Sequence, residues 1–213
     1  MNTFAVLPVK DPDSAKSRMA AAIDGARRRA LVEAMLEDTL EALSGSRMLF
    51  GTLVVTGDEA IAAIAAEFGC QVVDDPSDGG HSEAAIAGTE VARGYGAERV
   101  ILLPGDCPLL NPREIDRLLG SVPERFVAIV PDRHGTGTNA LLLSPPDAIE
   151  PAFGEGSAQR HLGLAREAGI PAGIEELPSL GLDLDTPADI VALETKLQAG
   201  AGGAKKTARA LDG

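Results

Sequence analysis

Apolar runs of four to seven residues recur along the chain, separated by polar or glycine-rich breaks. Thr3–Val9, Thr52–Thr56, Cys70–Val73, Arg99–Leu103, Phe126–Val130 and Asn139–Ser144 are short and mostly apolar, which predicts buried strands. The stretches between the early runs carry a helical period instead. Within 27–43, Leu31, Met35, Leu36, Leu40 and Leu43 fall on one stripe; within 58–68, Ile61, Ile64, Ala65 and Phe68 do the same. Further helices are predicted over 82–94, 112–120, 157–168 and 187–198. Strand and helix alternate from residue 3 to about 121, which predicts an α/β fold. Its sheet is expected to be mostly parallel and Rossmann-like, with helices on both faces. Residues 125–144 break the alternation: two strands joined by a glycine-rich loop are expected to form a small mixed-direction insertion. Residues 1–198 are read as one domain. Residues 199–213, small, glycine-rich and weakly basic, are read as a mobile tail.

The 213 residues include 19 basic and 32 acidic side chains, a formal net charge of −13, with 3% aromatic residues and no Trp. That composition argues against a duplex-binding face and against an aromatic platform for single strands, so no nucleic acid is expected as a partner. Cys70 and Cys107 lie in no Cys-x-x-Cys arrangement, which disfavours a disulfide framework and a structural zinc site. No apolar run approaches the roughly 20 residues of a membrane span. Neither a basic leader nor a signal-like core precedes the first strand, and the expectation is a soluble, cytoplasmic protein without membrane contact. The charge is uneven. Residues 1–35 hold six Lys/Arg against four Asp/Glu, a net of +2 that leaves −15 for the remainder.

In a sheet of this kind ligands bind beyond the carboxyl ends of the strands, so the loops that follow strands are where chemistry is sought. After the first strand, Pro8 and Pro12 interrupt regular structure, and Lys10, Lys16 and Arg18 place three cations within nine positions, suited to a polyphosphate or simply to solvent. After the fourth strand comes Leu103-Pro-Gly105-Asp106-Cys-Pro108. Gly105 permits a tight turn and Asp106 is left at the strand end, where a carboxylate can hold a divalent ion against phosphate oxygens. Asn111 and Pro112 already account for the cap of the next helix. Further on, Asp183 and Asp185 stand two apart before Thr186, Pro187 and Asp189, which form a capping-box pattern and leave the two earlier acids unexplained. Two glycine-rich stretches, Asp132–Asn139 and Phe153–Ser157, offer backbone N–H groups and hydroxyls, with Ser157 placed to cap a helix whose start faces an anion. His134 and His161 match no nucleophile–base pattern and are read as ordinary surface polar groups rather than catalytic bases.

Together L-P-V-K-x5-K-x-R, P-G-D-C-P-L, D-R-x-G-T-G-T-N, F-G-x-G-S and L-D-L-D-T-P-A-D resemble the phospho-acid guanylyltransferases of coenzyme F420 biosynthesis, over about residues 3–195. The resemblance implies transfer of GMP from GTP to 2-phospho-L-lactate, phosphoenolpyruvate or 3-phospho-D-glycerate, with release of pyrophosphate. It implies Mg²⁺, as two ions, on Asp106, Asp183 and Asp185. It places Lys10, Lys16 and Arg18 at the triphosphate, with Asp106, Lys16 and Arg18 as the catalytic set. Gly80, Ser82 and Gly105 join the nucleotide side, and Thr138, Gly154 and Ser157 the three-carbon acid. His134, inside the acceptor loop, is positioned to donate to an extra acceptor hydroxyl. The family's base-recognition stretch reads G-L-N-x-A, where this chain has Gly80-His81-Ser82-Glu83-Ala84. The expected partners are GTP and a small phosphorylated carboxylic acid, with a homodimer allowed. The residues alone also admit a cytidylyl- or molybdopterin-type nucleotidyltransferase, a glycosyltransferase using the D-x-D pair, or a non-catalytic nucleotide-binding module.

Overall fold

The apolar runs become the strands of one sheet. A computed structural model describes residues 1–12, 24–75, 80–182, 184, 186–199 and 202–212. In it β1 (Thr3–Pro8), β2 (Leu49–Thr56), β3 (Gln71–Asp74), β4 (Arg99–Leu102), β5 (Phe126–Pro131), β6 (Thr138–Ser144) and β7 (Ala172–Ile174) lie in the order β3-β2-β1-β4-β6-β5-β7. Neighbours are parallel except at β6, which runs antiparallel to both β4 and β5. The mixed-direction hairpin is therefore built into the sheet: β6 bonds directly to β4, and β5 carries the sheet on to β7.

The helices are α1 (Gly25–Ser44), α2 (Glu59–Glu67), α3 (His81–Gly94), α4 (Pro112–Ser121), α5 (Ser157–Glu167), α6 (Pro187–Gln198) and α7 (Lys205–Asp212). Successive strand residues point to opposite faces and so build two cores. Ala5, Leu7, Val54, Ile101 and Leu142 pack under α1, α2 and α4; Phe4, Val6, Val55, Leu102 and Leu141 pack under α3 and α5. Gly88 explains the close seat of α3. A Cβ there would come within 2.4 Å of Val6 Cγ1 and 2.7 Å of Val55 Cγ2.

Two of the predicted caps are present. Asn111 Oδ1 accepts from Arg113 N with Pro112 in the first turn, and Thr186 and Asp189 form a reciprocal capping box. Helix α1 is apolar on two sides. Leu36, Leu40 and Leu43 meet the sheet, while Leu31, Val32 and Met35 join Leu109, Leu182, Leu184 and Leu193 in a third cluster.

Part of the segment read as a mobile tail joins that third cluster. Residues 205–212 form α7, docked on α1, with Ala204 and Thr207 buried. The cause is Asp38, a buried acid on α1. Its carboxylate accepts from Lys206 N at 3.1 Å, Thr207 N at 2.8 Å and Thr207 Oγ1 at 2.7 Å, capping another helix from the side. Among the described residues no helix is long and apolar enough to cross a membrane.

Candidate active site

The strand order reverses at β1. Helix α1 carries the chain to β2 on one face and α3 returns it to β4 on the other, which opens a crevice beyond the carboxyl ends of β1 and β4. Lys10 follows β1 and is exposed; Gly80 caps α3; Gly105 and Asp106 follow β4. The 132–137 loop follows β5. Because β6 runs antiparallel, its first residue, Thr138, starts at this same edge.

Close packing sets the backbone after β4. A Cβ on Gly105 would meet Val9 Cγ2 at 2.8 Å, so only glycine lets this turn lie against the end of β1. Asp106 is thereby brought to the wall of a cavity of about 90 Å³ that it shares with His81, Leu102, Thr138, Asn139 and Phe153. The volume is on the order of a few water molecules, suited to a phosphate or carboxylate rather than to a nucleoside. Burial lowers the pKa of His81; the Asp106 carboxylate opposes that shift and the Lys10 ammonium reinforces it. The neutral form of His81 is thus favoured, and the residue stands on the cavity wall at the start of α3. A cavity of about 580 Å³ lies elsewhere, between α1, residues 109–114 and residues 202–205, and contains none of the sequence-nominated residues.

The glycine-rich 132–137 loop is closed by its own aspartate. Asp132 Oδ1 accepts from His134 N and Thr136 N, and Asp132 O accepts from Gly135 N. Gly135 has φ +74°, and a Cβ on Gly137 would meet Asp132 Oδ2 at 2.6 Å. Two further motif residues tie this loop region to the first turn of α6 and to the segment before it. Arg133 forms an ion pair with the buried capping-box Asp189, and Asn139 Nδ2 donates to Leu180 O at 2.7 Å. His134 is exposed, takes a hydrogen bond from Arg133 Nε, and is not part of the cavity wall.

Thr138, Ser157 and His161 meet in one hydrogen-bonded cluster. Ser157 Oγ donates to Thr138 Oγ1 at 2.9 Å, and His161 Nδ1 lies 3.1 Å from that same oxygen. Ala152 N donates to His161 Nε2 at 3.0 Å. The helix cap itself differs from expectation. Gly156, left-handed at φ +71°, is the N-cap and Ser157 the first helical residue. Ser157 N and Ala158 N already donate to Gly154 O and Thr136 O, so these first N–H groups of α5 are not open to a ligand. His161 corrects the sequence reading too, since it is wholly buried and not a surface group. Its signal was the four-residue spacing from Ser157 on the face that also carries Ala158 and Ala165. Ser82 Oγ accepts from Phe153 N at 2.9 Å, fastening α3 to the 152–153 segment.

Lys16, Arg18, Asp183 and Asp185 lie outside the described residues. Among those described, no three metal-ligating side chains cluster, and Asp106 is the one described member of the expected acid trio. Its hard carboxylate oxygens suit Mg²⁺. One cation of the basic opening is already engaged: Arg29 pairs with Asp58 at 3.2 Å, Asp11 at 3.5 Å and Glu33 at 3.7 Å.

The protein-family model described as "Guanylyl transferase CofC like" matches residues 3–206. A relative from Conexibacter woesei, named phosphoenolpyruvate guanylyltransferase, is 45% identical over 209 residues, covering 97% of this chain and 94% of its own. One of the same name from Sphaerobacter thermophilus is 40% identical over 201 residues, covering 94% and 97%. Among solved structures, a nucleotidyl transferase from Methanothermobacter thermautotroptrophicus aligns with a TM-score of 0.69 at 19% identity, over 93% of this chain and 99% of that one.

Proposed function

This chain belongs to the CofC-like guanylyl transferase family and is a nucleotidyltransferase, and from that premise we propose that it transfers GMP from GTP to the phosphate of phosphoenolpyruvate. The observation that carries this reading is the shared wall of the 90 Å³ cavity, where Asp106 from the nucleotide side of the crevice faces Thr138 from the acceptor loop. A phosphate oxygen of the acceptor attacks the α-phosphorus of GTP, a new P–O–P bond forms, and pyrophosphate leaves. That nucleophile is anionic at neutral pH and needs no general base, in keeping with the neutral, inward-bonded His161.

The obstacle is charge. GTP and a phosphorylated carboxylate bring on the order of −7 between them, and each unit pair at about 4 Å repels by roughly 4 kcal/mol at an effective dielectric of 20. Asp106, with Asp183 and Asp185, would hold Mg²⁺, which when bound neutralises phosphate charge. Lys10, Lys16 and Arg18 add positive charge from the opening loop, and Thr138, held from behind by Ser157, orients the acceptor through its hydroxyl. The test is an assay of the purified protein with GTP and Mg²⁺ against phosphoenolpyruvate, 2-phospho-L-lactate and 3-phospho-D-glycerate. Pyrophosphate is detected and the product identified by mass. Turnover with phosphoenolpyruvate is expected. Preference for another of the three reassigns the acceptor, and no pyrophosphate with any of them overturns the reading.

A further inference from the structure

We propose that His161 is a positioning residue that fixes the hydrogen-bond polarity of the Thr138–Ser157 pair, so that the pair presents a hydroxyl hydrogen into the cavity and selects an anionic oxygen there. The inference deepens the acceptor half of the function proposed above and rests on it. It starts from Ala152, whose backbone N–H has one direction and donates to His161 Nε2. That ring nitrogen therefore carries no hydrogen. Burial, reinforced by the neighbouring Arg160 charge, holds the His161 pKa down to about 4, so the ring is neutral at pH 7 with its single hydrogen on Nδ1.

The Nδ1–H then points at Thr138 Oγ1, 3.1 Å away. Ser157 is wholly buried, and its hydroxyl donates to the same oxygen. A hydroxyl oxygen has two acceptor positions and one hydrogen. With both acceptor positions filled, the Thr138 hydrogen has to leave the cluster, and Thr138 is the member of the three that lines the cavity. The cavity thus receives a donor from a group that is held from behind by a backbone amide through an imidazole. Phe153, edge-on to His161 at 5.4 Å and to His81 at 4.8 Å between ring centroids, keeps the ring in its plane. An ionised phosphate accepts such a hydrogen and has none to offer in return, whereas a neutral hydroxyl or amide gains less.

The test has a spectroscopic arm and a binding arm. Long-range ¹H–¹⁵N correlation spectra of the wild-type protein at pH 7 should show His161 neutral with its hydrogen on Nδ1; a hydrogen on Nε2, or a charged ring, overturns the proposal. Calorimetric titrations then use phosphoenolpyruvate, inorganic phosphate and GTP as separate probes. His161→Phe keeps the bulk and removes both nitrogens, and should weaken phosphoenolpyruvate and phosphate tenfold or more while changing GTP less than twofold. His161→Asn, whose amide N–H can occupy the place of Nδ1–H, should restore part of the loss. Equal weakening of all three probes, or none in folded His161→Phe, overturns it; if that variant does not fold, His161→Asn and the tautomer decide. A wild-type protein that binds phosphate in this manner yet turns over no phospho-acid overturns the functional reading and leaves the His161 inference standing.

Discussion

Replacing Asp38 by Ala should detach α7. The eight residues of α7 are too few to hold a helix in water by themselves, so its order depends on docking. Asp38 supplies the main polar contact, accepting from two backbone N–H groups at the start of α7 and from the Thr207 hydroxyl, and it is 6% exposed. Loss of an ordinary N-cap costs about 1 kcal/mol. Here the acceptor is charged and buried, and each bond to such a group is worth about 1.5–3 kcal/mol. The three do not add in full, because α7 can peel away and rehydrate its N–H groups. A loss of about 2–4 kcal/mol follows, seen in urea unfolding and as a Tm lower by roughly 5–15 °C for a domain of this size. Asp38→Asn, which keeps one oxygen, should fall between. Hydrogen exchange should rise in 205–212 before the rest of the fold. Since Ala204 N donates to Pro108 O, the loop bearing Asp106 loses its backing as well, and kcat should drop a few-fold. An unfolding free energy within about 0.5 kcal/mol of wild type, with exchange in 205–212 unchanged, would refute the reasoning.

Asp106→Asn should lower kcat by at least two orders of magnitude while the urea midpoint stays near wild type; near-normal turnover removes it from the reacting centre. Ser157→Ala takes one donor from Thr138 and leaves the other, so the KM for the acceptor should rise roughly three- to tenfold with that for GTP unmoved; equal changes in both would contradict the assignment. Gly88→Val places carbon inside the van der Waals shells of Val6 and Val55 and should cost about 3 kcal/mol or more; an unchanged melting curve would show that α3 can shift. Acid should weaken the fold through His161. Its folded pKa of about 4 lies below the value near 6.5 of an unfolded chain, so on acidification the unfolded state takes the proton first and stability falls from about pH 6.5 toward 4. From pH 7 to 5 the loss should be roughly 1–2 kcal/mol, largely absent in His161→Phe; a wild-type profile flat over that range contradicts it.

What the sequence displays well is what depends on neighbours in sequence. The strands appear within one residue of their predicted ends, except that β2 starts three residues early at Leu49, and Asn111-Pro112 and Thr186-Pro187 mark their helices because caps are local. Two elements stay hidden. Ala172-Gly173-Ile174 is too short to show alternation, and becomes β7 because β5 offers it an edge. Helix α7 lies among glycines and lysines, and its partner, Asp38, sits 169 positions before Thr207 on a helix side that reads as solvent-facing. Part of the candidate site is hidden for the same reason. Asp106 and Thr138 are legible because they follow or begin strands at one edge, whereas His161 gains its role only when α5 folds against the sheet and meets Thr138 at the start of β6.

The same distinction bears on how an acidic chain can receive anions. Its net charge of −13 would set a repulsive field if the carboxylates stood free near the crevice. Several are instead consumed by the fold. Asp38 caps α7. Asp58 caps α2 and pairs with Arg29; burial works against its ionised form, but those bonds outweigh it and hold the carboxyl below its ordinary pKa. Asp116, likewise opposed by burial, is held low by the Ser46 hydroxyl and the Arg47 and Met48 amides. Asp132 closes its own loop, and Asp189 is shared between Thr186 and Arg133. Each of these acids faces donors of the protein itself. Beside Asp106 and the apolar Leu102, Leu103 and Pro104, the cavity is lined by a neutral imidazole, an amide, an aromatic ring and a hydroxyl. Local polarity at this cavity is therefore set by fixed dipoles, and the acid count of the whole chain is a poor guide to it.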